Sequence, residues 1–502
     1  MKYIFAFLIF VCNCNAQSTN NLWLFGRDCG PNIKCGGTNI NFVGVGTQIS
    51  KYPRPMNLDR TNGVITSKQG NLLFYSNGVY VANAIDSMMK NGDSLNPGWY
   101  VNQWAYYGLL LIQGNLIIPL PDDSNKYYLF HETAEVNSNP TFAYSPQLFY
   151  SIINMKYDSG LGRVMSKNNI IISDTLIGGL ITACKHGNGR DWWVTVHRGN
   201  SDIIYTLLLT PNGIQGPFVQ HIGTYVNLIT NLNTFQACFS PDGKKYALYM
   251  SGGFLEIYDF DRCTGLFSNP VQLNISYHAF LGGLAFSPNS RYLYAPSNEY
   301  VFQFDVQATN IAATQTTVAV WDTFYSPSPP FATTFFMAQL APDGKIYINT
   351  GNSTDFLHFI NYPDLGGIAC DVQQHSILLP TYNDFTIPNH PNYFLGVDTG
   401  SVCDSLGLPT PETPKPPLGG LILNYIPSWQ QLVVNASGLK GKRVTMSIYD
   451  GQGSLKVQEF KSSRVNAGYF TTEVDCSGWA KGLYVVYLQT EKESLSKKFI
   501  ID

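Results

Sequence analysis

The sequence is poor in charged residues. Only 13% of its 502 residues are Asp, Glu, Lys or Arg, and the formal net charge is −3. Nucleic-acid binding needs clustered Lys and Arg that displace counterions from phosphates, and the sequence contains no such cluster. The composition therefore argues against a nucleic-acid partner.

The sequence also lacks the short motifs of several enzyme classes. It has no Gly-x-Ser-x-Gly elbow to hold a nucleophile and no P-loop to hold a phosphate. The mature chain has no Cys-x-x-Cys pair, and His131-Glu132 is not followed by the second His of a zinc protease. We therefore predict no catalytic residue, no metal site and no cofactor, and we expect the protein not to be an enzyme.

Long apolar runs are missing except at the N-terminus. There, Met1-Lys2 precedes an apolar run and then small residues, which is the order of a secretory signal peptide. We predict a signal peptide over 1–16, cleaved between Ala16 and Gln17. The run is too short to span a bilayer, and no later stretch approaches the length of about 18 apolar residues that a membrane helix needs. We expect no transmembrane span in the mature chain.

Aromatic residues and turn formers are abundant instead. Aromatics make up 14% of the chain, with 45 Gly and 28 Pro, a balance typical of an all-β protein with short strands and tight turns. The length is too great for one ordinary domain. We therefore predict two or three units built from strands.

One hairpin pattern recurs through the middle of the chain. Its clearest copies carry a Pro-Asp-Gly or Pro-Asn-Ser turn after Ser240, Ser287 and Ala341, at spacings of 47 and 54 residues. A four-stranded propeller blade needs about 40 to 50 residues. Fainter copies occur at 70–75, 125–130 and 189–194, and the ends at 22–25 and 392–397 could complete a further blade. We predict a β-propeller over 17–405, seven-bladed within a range of six to eight; an open array of sandwiches is the alternative.

A proline-rich stretch separates the C-terminal part of the chain from the predicted propeller. Five prolines lie within 406–420, which predicts a stiff linker that cannot join a sheet. After it, 421–502 shows several short alternating strands. We predict a small, immunoglobulin-like β-sandwich there.

The runs 448–453 and 482–485 and the terminal Lys-Lys-Phe are distinctive in this C-terminal part. They resemble the type A sorting domain of the type IX secretion system, although Ile426-Pro427 replaces the family's usual Asn-Pro pair. The resemblance implies export across the outer membrane to the cell surface or the medium, with the secretion machinery as partner. The sorting-motif residues that it implies are Tyr449, Asp450, Gly453, Gly482, Tyr484, Lys497 and Lys498.

The upstream part contains the run 70–78, the run 185–194 and the Pro-Asp-Gly hairpins. With these features it resembles secreted WD-like β-propeller proteins of Bacteroidota type. The resemblance names no ligand, but it implies the same secretion context as the tail.

Eight cysteines remain after signal cleavage, and export to an oxidising compartment makes disulfides possible. Cys29 and Cys35 bracket a short Gly-Pro loop and are the best local pair. Cys370 with Cys403 is a weaker prediction.

The densest polar and aromatic cluster follows Lys185. Its candidate ligand-binding residues, here called the predicted cluster, are His186, Arg190, Asp191, Trp192 and His197. Such residues could stack a sugar ring on Trp and hold its hydroxyls with Asp or Arg. The alternative is a hairpin whose tryptophans pack between blades, with His186 hydrogen-bonded to a neighbouring blade.

The function that fits best is non-enzymatic binding of a protein or glycan by an exported propeller, because loops on a rigid ring carry function. The first alternative is an extracellular hydrolase, which would bring carboxylates together at the propeller axis. The second is a structural component of a surface assembly, which would expose a flat apolar patch.

Overall fold

A computed structural model describes the protein at residues 19–27, 29–30, 34–42, 46–138, 141–228, 234–250, 254–275, 281–328, 330–404, 421–426, 430–436, 439–440, 443–464 and 470–501. The predicted signal peptide, its cleavage site at Ala16 and Gln17, and the predicted linker lie outside these residues. The chain forms two compact units, Met1–Leu406 and Gly407–Asp502. In the described ranges, no helix is long and apolar enough to cross a membrane.

The described strands of the first unit form seven sheets in chain order. The first sheet contains β1 (Leu22–Arg27), β2 (Gly36–Asn41) and β3 (Gln48–Lys51). The second contains β4 (Gly63–Thr66), β5 (Leu72–Ser76) and β6 (Val81–Asn83), and a short helix, α1 (Trp99–Trp104), follows it. The third contains β7 (Asn115–Pro119), β8 (Lys126–Glu132), β9 (Glu135–Ser138), β10 (Thr141–Asn154) and β11 (Arg163–Leu176).

The other four sheets each hold four strands that pair with their neighbours in sequence. The fourth contains β12 (Thr182–Lys185), β13 (Trp192–His197), β14 (Ser201–Thr210) and β15 (Gly213–Val226). The fifth contains β16 (Thr234–Phe239), β17 (Lys245–Met250), β18 (Phe254–Asp261) and β19 (Leu266–Asn274). The sixth contains β20 (Ala285–Phe286), β21 (Tyr292–Ser297), β22 (Tyr300–Asp305) and β23 (Thr316–Val320). The seventh contains β24 (Phe335–Leu340), β25 (Ile346–Thr350), β26 (Thr354–Ile360) and β27 (Val372–Asn383).

The hairpins predicted from turn chemistry are present. The turns after Ser240 and Ala341 place Gly243 and Gly344 at φ +72° and +81°, which glycine adopts without a steric cost. In the first of these turns, the Ser240 hydroxyl accepts the Lys245 N–H at 2.9 Å. The turn chemistry therefore joins β16 to β17 and β24 to β25, as the sequence indicated.

The ring of sheets closes where the first sheet meets the seventh. Trp23 of β1 is fully buried and lies edge-on to Tyr347 of β25 at 5.6 Å between ring centroids. Phe42 meets the same tyrosine at 5.4 Å. Buried aromatics of this size dominate core energetics, and truncating Trp23 to Ala is expected to cost about 3 to 5 kcal/mol. The predicted all-β propeller class is confirmed; the count of seven blades stays a prediction, because two of the seven sheets have three strands.

The prediction that residues 392–397 form a blade strand is wrong. Residues 386–396, here called the central segment, contain no strand. They contact several sheets: the Thr386 carbonyl accepts the side chain of Asn349 on β25 at 3.0 Å, Asn389 donates to the Asn115 carbonyl of β7 at 2.9 Å, and Asn392 donates to the Pro241 carbonyl after β16 at 2.8 Å. Because so short a segment reaches so many sheets, it runs along the middle of the ring. The prolines at 388 and 391 remove N–H donors that a paired strand would use.

Two disulfides lie in the first unit. Cys29 is bonded to Cys35, as predicted. Cys403 is bonded to Cys263 rather than to Cys370, and Cys370 is a buried free thiol. The weaker sequence prediction was therefore wrong, because a pair 140 residues apart leaves no local signal.

The second unit contains two sheets around its own core. One sheet contains β28 (Leu421–Ile426), β29 (Gln431–Ala436) and β32 (Phe470–Asp475). The other contains β30 (Arg443–Asp450), β31 (Leu455–Arg464), β33 (Gly482–Thr490) and β34 (Ser494–Ile501). Leu432, Ile448 and Val486 are buried between them. Pro427, the remnant of the family's usual pair, lies outside the described residues.

Candidate binding site at one face of the propeller

Four members of the predicted cluster lie together in the β12–β13 hairpin. The His186 ring donates from Nε2 to the Cys263 carbonyl at 3.0 Å, and its Nδ1 accepts the Asn188 N–H at 3.0 Å. Both ring nitrogens are therefore satisfied, one of them by the neighbouring fifth sheet. Burial lowers the pKa of His186. In this structure His186 is a packing residue that ties two sheets together.

Arg190 and Asp191 form a forked ion pair beside it. Arg190 donates from Nε and Nη2 to the two carboxylate oxygens of Asp191 at 2.8 and 3.2 Å, and from Nη1 to Asp122 at 3.2 Å. Asn188 donates to the same carboxylate at 2.9 Å. Two-point pairs of this kind fix geometry as well as charge. Arg190 is thereby held at the surface between two acidic partners.

Trp192 offers no face for a sugar ring. The side chain is only 1% exposed. The Lys185 ammonium lies 4.2 Å from the ring centroid, and Tyr393 approaches the ring edge-on at 5.8 Å. Burial lowers the pKa of Lys185 to about 8. Stacking of a sugar on Trp192, as the sequence suggested, is ruled out by this burial.

His197 is separate from the other four residues. It lies at the far end of β13, where its Nε2 is 2.6 Å from the Tyr246 hydroxyl and its ring stacks on that tyrosine. Burial lowers its pKa to about 4. The predicted cluster is therefore not one site.

A cavity of about 810 Å³ occupies one end of the propeller axis; it is called the central cavity. The size is within the usual range of ligand sites, roughly 300 to 1,000 Å³. Its walls come from β12, β16, β20 and β24 and from the end of the central segment. Asn392 and Phe394 at its mouth are exposed, so the cavity opens to solvent.

Three side-chain amides form the floor of the central cavity. Gln113 accepts the Ala237 N–H at 2.8 Å and donates to the Ala237 carbonyl at 2.9 Å. Gln236 accepts the N–H groups of Leu284 and Ala338, both at 3.0 Å, and donates to the Ala338 carbonyl at 2.7 Å. Asn389 donates to the carbonyls of both Asn115 and Ile181. These amides satisfy backbone groups at the inner sheet edges, which have no neighbouring strand, and they make the floor rigid.

Two further polar side chains that line the same cavity have buried atoms without a hydrogen-bond partner. Neither ring nitrogen of His390 makes a hydrogen bond, and the same is true of Asn20 Oδ1. His390 is 8% exposed and lies between the rings of Trp23 and Tyr393, with centroids 6.4 and 6.0 Å away. Burial lowers its pKa to about 3, so the ring is neutral at physiological pH.

A second cavity of about 730 Å³, called the side cavity, adjoins the first. Tyr393 and Phe394 line both cavities and stand between them. Arg190 lines the side cavity, with Asp122 opposite at its rim. Arg190 and Trp192 of the predicted cluster thus line the side cavity, and their role in binding stays a prediction.

A pair of carboxyl groups lies near the start of the central segment. Asp384 is 2% exposed, accepts the Ser353 hydroxyl and is paired with Arg27 at 2.5 Å. Burial and the neighbouring Asp384 charge raise the pKa of Asp59 to about 6, against the opposing effect of Arg60. A carboxyl with a pKa of about 6 is partly protonated at that pH.

The amides and His390 were missed by sequence analysis. The residues that line the cavity are as far apart in the sequence as Asn20 and His390, so no short sequence motif contains them. The one available signal is the Pro-Asn-His-Pro run at 388–391, where two prolines exclude a regular strand and leave side chains free for other contacts.

Over the same described ranges, no group of three or more His, Cys, Asp or Glu side chains is placed to hold a metal ion.

The sorting-motif residues form a turn and an edge strand in the second unit. Asp450 Oδ1 accepts the N–H groups of Gln452 and Ser454 at 3.0 and 2.9 Å, and Gly453 closes the turn at φ +84°. Tyr484 donates to the Ala480 carbonyl and stacks on Phe499 at 5.5 Å.

The remaining motif residues lie at the end of the same sheet. Tyr449 precedes the turn on β30, and Gly482 begins β33. Lys497 and Lys498 are exposed on β34, the last strand of its sheet. Lysines there disfavour edge-to-edge aggregation.

Comparison with known proteins identifies the tail. Residues 426–502 match the family model described as the secretion system C-terminal sorting domain. The chain therefore carries a sorting domain, as predicted, and the protein is exported through the outer membrane to the cell surface or the extracellular space by the type IX secretion machinery.

The similar solved structures are propeller-like proteins whose sequences have low identity to this chain. The periplasmic gluconolactonase of Pseudomonas aeruginosa is 12% identical, with a TM-score of 0.41 and coverage of 74% of this chain and 100% of that one. The Swd1 β-propeller domain of Myceliophteria thermophila is 7% identical, with a TM-score of 0.37 and coverage of 66% and 90%. A search of curated proteins found no match.

Proposed function

We propose that the first unit is a non-enzymatic binding module that takes a protein or glycan at the face bearing the central cavity. The observation that carries this proposal is the cavity itself, a solvent-open space with apolar walls and a floor of three locked amides. Recognition sites combine apolar walls with a few fixed polar groups. A floor that is rigid before binding loses little entropy when the ligand arrives.

The mouth of the cavity supports the same proposal. Phe394 is 47% exposed between the two cavities and provides an aromatic face to an incoming ligand. Rigid aromatic side chains are common energetic anchors of binding surfaces.

The full secreted protein tests this proposal on a glycan array and in pull-downs from medium and cell-surface fractions. Phe394→Ala should weaken capture by about tenfold, the effect expected for loss of an aromatic anchor. Tyr362→Ala is the matched control, because Tyr362 is 55% exposed but does not line either cavity. Equal capture by both variants, or no capture by the wild type, would refute the proposal.

One observation favours a second candidate function, extracellular hydrolysis. Asp59 and Asp384 interact, and the pKa of Asp59 is raised to about 6, as expected of a carboxyl that donates a proton near neutral pH. Hydrolysis of chromogenic glycosides and esters by the full protein, abolished in Asp384→Asn, would establish this activity. If the wild type shows no turnover on any of these substrates, the pair is a structural ion cluster with Arg27.

A further inference from the structure

We propose that a surface on the short helix α1 and the turn after it binds a neutral polysaccharide chain. The surface consists of Trp99, Asn102, Gln103 and Tyr106 and is called the α1 surface. These residues line neither the central cavity nor the side cavity. The proposal therefore does not rest on the binding function proposed for the central cavity.

The first step is the exposure of two aromatic rings. Trp99 is 61% exposed and Tyr106 is 59% exposed. The amide side chains of Asn102 and Gln103, between them in the sequence, are exposed as well. Trp and Tyr rings are the commonest anchors of binding surfaces, because each combines a large apolar area with few rotatable bonds. A ligand can reach all four side chains from solvent.

The second step is that the four side chains share one side of the helix. On a helix with 3.6 residues per turn, residues three and four apart are neighbours, so Trp99 lies beside Asn102 and Gln103. Ala105 keeps helical angles, φ −48° and ψ −34°, and the chain follows the helical path to Tyr106. Tyr106 is likewise three and four positions from the two amides. A ligand that lies along this side meets all four side chains.

The base of the α1 surface is fixed. Tyr100 and Val101, on the other side of α1, are buried in a small apolar core. After the helix, the Asn57 side chain donates to the Tyr106 carbonyl at 2.7 Å. Tyr107 packs edge-on against the Tyr106 ring, with 5.1 Å between the ring centroids. A ring that is held in place before binding loses little entropy when the ligand arrives.

The third step is charge. Residues 94–121, which contain α1, include no Asp, Glu, Lys, Arg or His. Two charged groups approach from other segments: Arg60 lies near the buried Tyr100, and Glu135 lies beside Gly98 at the start of the helix. Neither belongs to the side that carries the exposed rings. This side favours a neutral ligand, because an ion bound there would lose water without gaining a counter-charge.

The fourth step is the combination of rings with amides. Seven residues of helix place Trp99 and Tyr106 about 10 Å apart along the axis. This span exceeds one sugar ring, so the ligand is a chain. The C–H faces of successive sugars pack on the two rings, and their hydroxyls, each a donor and an acceptor, pair with the amides of Asn102 and Gln103. An apolar peptide or a lipid chain would leave those amides without partners.

The α1 surface lies at the end of the second sheet away from the side cavity. Strand β5 begins after the turn whose residues 67–69 line the side cavity, and it ends at Ser76. The next carbonyl, that of Asn77, accepts the Leu109 N–H at 2.9 Å, just after the α1 surface. Substitutions at the two ends of the sheet therefore test two separate sites.

The test is affinity electrophoresis of the full secreted protein in gels that contain dextran, mannan, xyloglucan or laminarin, with alginate as the anionic comparison. At least one neutral polysaccharide should slow the wild type in a concentration-dependent way, and alginate should slow it less. Trp99→Ala and Tyr106→Ala should each weaken binding by about tenfold, as expected for loss of an aromatic anchor. Tyr106→Phe keeps the ring and should retain most of the affinity.

Two further variants are controls. Tyr225→Ala removes a ring that is 56% exposed on β15 of the fourth sheet and should leave binding unchanged. Phe394→Ala alters the mouth of the central cavity and should leave it unchanged as well. Trp99→Ala and Tyr106→Ala should melt within about 2 °C of the wild type, because substitutions of exposed residues change stability little. If one of them melts lower, the other decides.

Three results would overturn the proposal. They are no retardation of the wild type by any neutral polysaccharide, tighter binding of alginate than of every neutral polysaccharide, and binding that survives the loss of both exposed rings. If Phe394→Ala abolishes retardation and Tyr106→Ala does not, the glycan binds at the central cavity. This proposal then fails, while the function proposed for the central cavity stands.

Discussion

The two units of the chain handle their polar groups in opposite ways. The propeller unit buries amides, imidazoles and carboxyls inside the ring and closes two disulfides. The sorting unit has no histidine, and its one cysteine, Cys476, is a free thiol. Its motif residues Lys497 and Lys498 are exposed on the last strand. Fixed internal groups suit the binding function proposed for the first unit, whereas a unit recognised by a transport machine needs its features on the outside.

The largest expected effect separates delivery from folding. Deletion of 497–502 removes Phe499 and Ile501 from the core of the second unit. Extracellular protein should fall by about tenfold or more, because the sorting unit can no longer fold, while the propeller retained in the cell stays folded. Fractionation with mass spectrometry of the chain ends measures this. Lys492→Gln, in an exposed turn, is the control and should be exported like the wild type. Undiminished export of the deletion variant would contradict the prediction that export needs a folded sorting unit.

The long-range disulfide should stabilise the propeller alone. Cys263→Ser with Cys403→Ser opens a loop of 140 residues and should cost about 5 kcal/mol, while loss of the Cys29–Cys35 bond opens a much shorter loop and should cost about 2 kcal/mol. Denaturant unfolding followed by tryptophan fluorescence distinguishes the two. A larger effect from the short loop would show that chain entropy is not the main contribution.

Acid should destabilise the propeller more than the sorting unit. Burial lowers the pKa of His131, His358 and His390 to about 3 and that of His197 to about 4. Between these values and about 6.5 these four histidines bind up to four more protons in the unfolded chain than in the folded one, so their contribution to stability falls as the pH falls.

Two carboxyls oppose this trend. The pKa values of Glu132 and Asp59 are raised by burial, so the folded state keeps protons that the unfolded state has released. Near pH 5.5 these six groups together bind about two more protons in the unfolded chain, and they should lower stability by about 2.7 kcal/mol per pH unit. Burial also lowers the pKa of His186, which adds to the fall. Unfolding midpoints at pH 7 and pH 5 test this. Equal midpoints for the propeller would contradict it.

The smallest expected effect concerns one floor amide. Gln236→Leu leaves the backbone N–H groups of Leu284 and Ala338 without their acceptor and should destabilise the propeller by about 2 kcal/mol. Gln452→Leu, in an exposed turn of the sorting unit, should change stability by less than about 0.5 kcal/mol. An equal loss of stability in both variants would mean that the hydrogen bonds of Gln236 do not stabilise the propeller.

The sequence predicted the contacts between residues that are close in sequence, but not those between residues that are far apart. The hairpins after Ser240 and Ala341 and the Cys29–Cys35 bond depend on residues close in sequence, and they were predicted. The Cys263–Cys403 bond and the central cavity join residues more than a hundred positions apart. Trp192 was a reasonable candidate by type, but only the fold shows that its ring is covered by Lys185 and Tyr393.

The disulfide at Cys403 also has a mechanical consequence. It fastens the last described residues of the first unit to the turn between β18 and β19. A pull on the chain beyond Cys403, such as export through a pore would apply, is therefore transmitted to that turn before it reaches the central segment. We therefore expect the bond to keep His390 and Asn389 in place when the chain beyond Cys403 is pulled.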